Sequence, residues 1–135
     1  MSLEIVQRER EGITILEMKG RITVGQEATT LREKCGELQS AGVKSIIFNL
    51  EQVDFIDSTG LGALVMCATT AKKADGRVKL VNLNKRNIEL LVMTRLSTAF
   101  EIFNDEQDAV NSFYPDRQIR TFDILDFVQK MKQGE

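Results

Sequence analysis

The residues of this chain best suited to chemistry are two adjacent hydroxyls, Ser58 and Thr59, in the run FIDSTGLG at positions 55–62. A strand-like apolar run precedes them at 46–50, and apolar residues at 61, 64, 65 and 68 follow with the spacing of a core-facing helix. The hydroxyls are therefore predicted to lie where a helix begins. Backbone N–H groups there lack intrahelical partners and the helix dipole is positive, which suits a functional hydroxyl, a phosphate or a docking partner.

The same residue types also have a purely structural use, because Asp, Ser and Thr are favoured helix N-caps. Capping does not account for Gly60 and Gly62, which follow in the first helical turns. Each glycine in a helix costs about 1 kcal/mol relative to alanine. We therefore expect something to approach the backbone closely at this turn.

Composition argues against several kinds of function. The chain has 135 residues and no histidine, so it lacks the commonest general base and the commonest nitrogen ligand of metals. Cys35 and Cys67 are isolated in the sequence and are predicted to be reduced thiols on helices, not a zinc site or a disulfide. We expect no cofactor.

The charge and hydropathy patterns bear on location and on partners. A net charge of −2 and the absence of tryptophan give no indication of direct nucleic-acid binding. No apolar run approaches the ~18 residues that a membrane span requires. The charged N-terminus does not resemble a signal peptide. These features predict a cytoplasmic protein.

The hydrophobic pattern predicts an α/β domain with a mixed sheet, in the order β-β-α-β-α-β-α-β-α. The first two strands are expected to form a hairpin, and the third to be buried at the centre of the sheet. Thr23 and Gln26 have the spacing of a capping box for the first helix, and Gly42 is its expected end. The predicted strands are 3–7, 13–20, 46–50, 77–83 and 101–103, and the predicted helices are 23–40, 59–73, 86–93 and 105–113.

Residues 114–135 are predicted to be a C-terminal extension of a domain formed by residues 1–113. Apolar residues at 124, 127, 128 and 131 predict a further helix over 121–132. This helix either packs against the rest of the domain, as apolar stripes usually do, or forms a homodimer.

The run IIFNLEQVDFIDSTGLG at 46–62 resembles the signature of the STAS family, the sulfate transporter and anti-sigma factor antagonist domains. The order of elements agrees with the family, as do the stretches GRI at 20–22, KLVNL at 79–83 and FEIF at 100–103. The resemblance covers residues 3–113. It implies a single α/β domain with a mixed sheet of four or five strands and about four flanking helices, to which the C-terminal helix is an addition.

Stand-alone members of this family resemble bacterial anti-sigma factor antagonists that act by partner switching. The resemblance implies that an anti-sigma factor, itself an ATP-dependent serine kinase, binds and phosphorylates this chain, and that a phosphatase resets the cycle. Ser58 is the implied acceptor, with Thr59 as second choice. The implied partner-binding residues are Thr23, Asp57, Ser58, Thr59, Gly60, Leu61 and Gly62.

Two other functions stay open. Thr23 and Asn49 are neutral where many antagonists carry aspartate, which favours a scaffold or sensor that binds a protein or a nucleotide through the same loop without phosphorylation. The third function is an enzyme with Ser58 as nucleophile. It is disfavoured because the chain has no histidine and residues 56–60 lack the first glycine of a G-x-S-x-G elbow.

Overall fold

A five-stranded mixed sheet organises the part of the chain that the structure, a computed structural model, describes: residues 3–119 and 123–133. The strands lie in sequence order across the sheet. The first two form an antiparallel hairpin, and the remaining neighbours are parallel. The predicted fold class, hairpin and central third strand are confirmed. The strands are β1 (Leu3–Arg10), β2 (Ile13–Ile22), β3 (Ser45–Ile56), β4 (Arg77–Val81) and β5 (Glu101–Phe103).

Helices cover both faces of this sheet. The larger core lies on one face and includes residues of the first three helices, such as Leu31, Leu64 and Ile88. The smaller core lies on the other face, where Ala109 and Val110 of the fourth helix meet the sheet. Within the described residues the helices are α1 (Gln26–Ser40), α2 (Ser58–Lys73), α3 (Lys85–Met93), α4 (Glu106–Asn111) and α5 (Ile124–Gln133).

The predicted C-terminal helix is present as α5. Ile124 and Phe127 pack against the larger core, which supports the packing alternative, and dimerisation stays a prediction. The predicted start at Thr121 lies outside the described residues. Asp123 caps the helix, since its carboxylate accepts a hydrogen bond from the Asp126 N–H at 3.0 Å.

The third strand is longer than its apolar run predicted, and this correction matters for the site. β3 continues to Ile56, beyond the predicted end at Leu50. Its second half pairs with β2 alone, since pairing with β4 stops at Asn49. Exposed polar residues are tolerated there because Val53 and Ile56 still point into the core. The strand therefore ends immediately before the hydroxyl pair.

The predicted capping box at the start of α1 is wrong. Gly25 is the N-cap, with a φ of 100°, and no side chain caps the helix. The Thr23 hydroxyl donates to the Glu27 carboxylate at 3.2 Å, and Thr23 lies two residues before the N-cap, so it does not cap the first-turn amides. Gly42 has a φ of 77° just after the helix, and its predicted role in ending α1 is confirmed. The other predicted boundaries differ from the observed ones by a few residues.

A charged cluster holds α4 to the hairpin. The Glu106 carboxylate accepts hydrogen bonds from Arg8, from Arg10 Nη1 at 2.6 Å and from Asn49 Nδ2 at 3.2 Å. Burial acts to raise the pKa of Glu106, but the hydrogen bonds from Arg8 and Arg10 outweigh it and hold the pKa below its ordinary value of 4.5. The cluster therefore stabilises the fold fully above pH 4.5, and this contribution is lost as the pH falls through the folded-state pKa.

Replacing Glu106 by glutamine is expected to reduce the loss of stability on acidification. Urea unfolding of wild type and variant at pH 7 and at about pH 3.5 measures this difference. Glu9→Gln is the matched control, because Glu9 is exposed and its side chain makes no hydrogen bond or ion pair within the described residues. An unchanged acid-dependent loss in Glu106→Gln would contradict the assignment.

Candidate functional site

Asp57 organises the start of α2. It is the N-cap, and its Oδ1 accepts a hydrogen bond from the Gly60 N–H at 2.7 Å. Its Oδ2 accepts a second from the Val24 N–H at 2.9 Å, in the loop between β2 and α1. Its own N–H donates to the Ile22 carbonyl at 3.2 Å. One carboxylate thus holds the α2 start and the β2–α1 loop together, and the capping interpretation is confirmed for Asp57.

Ser58 and Thr59 are the first two residues of α2, and both are exposed. Neither hydroxyl makes a hydrogen bond to another group in the part of the chain that the structure describes. The cap is provided by Asp57 alone, so capping does not use these hydroxyls. They are presented to solvent on a backbone fixed by its neighbours.

The two glycines of the run lie in different surroundings, and only one position requires a glycine. A Cβ added to Gly60 would lie 1.8 Å from the Ile22 carbonyl oxygen, so the expected close approach is made by β2. A Cβ added to Gly62 would meet nothing within 4 Å. Packing therefore requires a glycine at 60 and does not require one at 62. The described fold therefore gives no reason for the loss of helix stability that a glycine at 62 causes.

The structure brings the seven predicted partner-binding residues to one end of the molecule, but at different depths. Ser58, Thr59 and Gly62 are exposed, and Thr23 and Asp57 are half-buried. Gly60 is buried, and Leu61 lies in the larger core with 3% of its surface exposed. The buried pair supports the turn from beneath, and the exposed residues form its outer surface.

Two exposed apolar residues that sequence reasoning missed extend this surface. Val24 is 67% exposed in the loop held by Asp57, and Met66 is 53% exposed on α2. Met66 follows Gly62 by one helical turn, so the two share a face of the helix. Its spacing from Ser58 and Gly62 was the available signal. We refer to Val24, Ser58, Thr59, Gly62 and Met66 as the α2 face.

Asn49 is not part of this surface. Its neighbours Phe48 and Leu50 point into the larger core, and its own side chain bonds Glu106 on the α4 side of the sheet. The α2 helix packs against the opposite side. Thr23 does lie beside the α2 face, where its hydroxyl bonds Glu27.

Near the end of β3, two arginine side chains make cation–π contacts with one phenylalanine ring. The Arg86 guanidinium lies 4.7 Å from the centre of the Phe55 ring, and that of Arg21 lies 6.0 Å from it. Such contacts hold arginine heads close to an apolar surface while leaving their charge available. The residues that precede the α2 start are thus flanked by positive charge, while Asp57 contributes negative charge.

The described ranges contain no helix that is long and apolar enough to cross a bilayer. Among the same residues, no group of three or more histidine, cysteine or acidic side chains is placed to hold a metal ion.

Removing the Asp57 carboxylate is expected to destabilise the fold by about 1–2 kcal/mol, because Asp57→Ala loses a helix cap and the bond to Val24. Urea unfolding followed by circular dichroism measures the change. Asp54→Ala is the control: Asp54 is exposed, its side chain has no partner among the described residues, and a change within about 0.5 kcal/mol is expected. Equal effects of the two variants would contradict the role of Asp57.

The fold and the α2 start together define the class of protein: this chain belongs to the STAS domain family, whose model matches residues 4–109. The chain is 34% identical over 102 residues to the anti-sigma-B factor antagonist of Bacillus subtilis (strain 168), covering 76% of this chain and 92% of that protein.

Solved structures have the same fold. A crystal structure from Thermotoga maritima matches with a TM-score of 0.75 at 21% identity, over 80% of this chain and 92% of that one. The unphosphorylated form of the anti-sigma factor antagonist SpoIIAA, from Bacillus, matches with a TM-score of 0.64 at 18% identity, over 83% and 99%. At these identities the likeness concerns the fold alone.

Proposed function

We propose that this protein is a cytoplasmic anti-sigma factor antagonist that acts by partner switching. In its unmodified form the α2 face binds an anti-sigma factor that is also a serine kinase, and the sigma factor is released. Phosphorylation of Ser58 by that kinase ends the interaction, and a phosphatase restores it. The observation that carries the proposal is the exposed Ser58 hydroxyl at the start of α2, which has no hydrogen-bond partner among the described residues. The relation to the anti-sigma-B factor antagonist supports it.

The proposed switch follows from simple electrostatics. A phosphate adds roughly −1.5 to −2 charges at neutral pH. At the α2 start the helix dipole would stabilise it by ~0.3–1 kcal/mol, which offsets repulsion from the neighbouring Asp57 carboxylate. The fold is therefore expected to tolerate the phosphate. A partner packed tightly on the α2 face would have to bury that charge at the interface, and would lose affinity.

A phosphorylation assay tests the first half of the proposal. The protein is incubated with Mg-ATP and an anti-sigma factor kinase from the same organism, and the product is analysed by intact mass and peptide mapping. One phosphate on Ser58 is expected, absent from Ser58→Ala and retained in Thr59→Ala. A product without phosphate, or with phosphate on another residue, would overturn the assignment of Ser58.

Gly62 offers a test of the binding surface that does not depend on phosphate. Gly62→Leu places a bulky side chain on the α2 face, where an added Cβ would meet none of the described atoms within 4 Å. The variant is expected to fold normally and to bind the anti-sigma factor at least about tenfold more weakly by calorimetry. Asn104→Leu, at an exposed position after β5, is the control and should bind as wild type. Undiminished binding by Gly62→Leu would show that the partner docks elsewhere.

A second candidate function is a scaffold or sensor that uses the α2 face without phosphorylation. Two neutral residues favour it: Thr23 and Asn49 are engaged in hydrogen bonds within the chain and bring no carboxylate of their own to the acceptor. Stable binding of a protein partner by both wild type and Ser58→Asp, with no phosphate transferred, would favour this function over the first.

A further inference from the structure

A cleft of about 250 Å³ lies between α1 and α2, away from the Asp57 cap. Its floor is formed by buried apolar side chains, among them Ile46 and Val78 from the first residues of β3 and β4. Its rim is exposed and includes Arg32 and Lys44. The cleft is thus an apolar slot with a charged entrance.

Gly36 keeps this cleft open. It lies in the middle of α1, where glycine costs about 1 kcal/mol relative to alanine. A Cβ at this position would meet nothing within 4 Å, so neither backbone strain nor packing requires glycine. Gly36 does line the cleft. The missing side chain leaves this part of the lining open, which favours access to the slot.

The two cysteines contribute an uncharged wall. Cys35 and Cys67 both line the cleft, and both are free thiols. A hydrogen bond with Cys67 and burial raise the pKa of the Cys35 thiol, so it remains protonated at neutral pH. A protonated buried cysteine behaves as a small apolar residue. The interior of the cleft therefore suits a hydrocarbon group better than a polar one.

The charge at the entrance has one sign. Among the described residues, Arg32 and Lys44 are the charged ones that line the cleft, and no carboxylate lines it. Neither cation forms an ion pair with any residue of the described ranges. A ligand with an anionic head and an apolar tail would match both parts of the cleft.

We propose that this cleft binds a single-chain carboxylate, with its tail between α1 and α2 and its head near Arg32 and Lys44. An apolar cavity of about 150 Å³ accepts a benzene molecule, so the present volume corresponds to a tail of about ten carbon atoms. This site is separate from the α2 face, although Met66 borders both. Binding here does not depend on the partner-switching function proposed above.

Calorimetric titration of the full-length protein with decanoate, below its micelle-forming concentration, tests the proposal. One molecule is expected to bind per chain. Decyltrimethylammonium has a tail of the same length and the opposite charge, and should bind at least about tenfold more weakly. Absence of decanoate binding, or equal binding of the two amphiphiles, would overturn the proposal.

Two variants place the ligand in this cleft. Gly36→Leu fills the entrance and should weaken decanoate binding at least about tenfold, while Thr29→Leu, at an exposed α1 position outside the cleft, should not. The double variant Arg32→Glu, Lys44→Glu changes surface residues alone and should lose decanoate binding. Its charge-matched control is Lys72→Glu, Lys73→Glu on the exposed end of α2. Unchanged affinity in either cleft variant would contradict the assigned site.

Discussion

Replacing Gly60 by alanine is expected to destabilise the protein by about 3 kcal/mol or more, because the added methyl group overlaps backbone atoms. The new Cβ would lie 1.8 Å from the Ile22 carbonyl oxygen and 2.6 Å from its carbonyl carbon. Both are backbone atoms, so no side-chain rotation relieves the overlap. Ile22 and Leu61 anchor β2 and α2 in the same core, with 0% and 3% of their surfaces exposed, so the two elements separate only by disrupting it.

Gly62→Ala is the matched control, two residues further along the same helix. Nothing lies within 4 Å of its Cβ position, and alanine is the better helix former. This variant is expected to be stabilised by about 0.5–1 kcal/mol. Urea unfolding of both variants, followed by circular dichroism, gives the comparison. Similar free energies of unfolding for the two would show that β2 does not approach α2 as described.

Replacing Ser58 by aspartate is expected to weaken binding of the anti-sigma factor by roughly thirtyfold to several thousandfold, the equivalent of about 2–5 kcal/mol. The substitution places a permanent negative charge at the exposed start of α2, where the proposed interface would have to desolvate it. Calorimetry with the purified anti-sigma factor measures the change. The free energy of unfolding is expected to remain within about 0.5 kcal/mol of wild type, because an exposed carboxylate at a helix start is well tolerated.

Ser58→Asn separates charge from shape. Asparagine is nearly the same size as aspartate and carries no charge, so it should bind much more tightly than Ser58→Asp. Equal loss in both variants would mean that the site rejects bulk, and equal retention in both would mean that Ser58 lies outside the interface. Either result would contradict an electrostatic switch at this residue.

The sequence was sufficient to predict the architecture because its apolar residues follow strand and helix periods closely. The third strand was predicted too short because its second half pairs with one neighbour only. Glu51 and Gln52 are exposed there and interrupt the apolar pattern. The capping box at Thr23 failed because α1 begins two residues later than the box requires. Gly25, with a φ of 100°, is the N-cap, and the spacing of residues does not reveal this backbone conformation.

The sequence predicted which residues form the candidate site. It did not predict which of them are buried and which are exposed. The run from 57 to 62 does lie at a helix start, and its glycines suggested a close approach. The sequence did not show that the approach to Gly60 comes from Ile22, nor that Gly62 faces open space. That distinction depends on how β2 crosses α2, a relation between distant segments. Val24 was missed because an isolated exposed apolar residue carries no pattern of its own, and Met66 because only its spacing from Ser58 and Gly62 pointed to it.

The hydrogen bonds to the two Asp57 oxygens bear on which protein supplies the base in the proposed phosphoryl transfer. Each oxygen accepts a backbone N–H, from Gly60 at 2.7 Å and from Val24 at 2.9 Å, and within the described residues neither accepts a hydrogen bond from the Ser58 hydroxyl. The carboxylate is therefore not placed to take the proton from that hydroxyl during phosphoryl transfer. Under the proposed function, the base that activates this hydroxyl comes from the kinase. This chain would then supply the acceptor hydroxyl alone, and the rate of its phosphorylation would be set by the kinase that binds it.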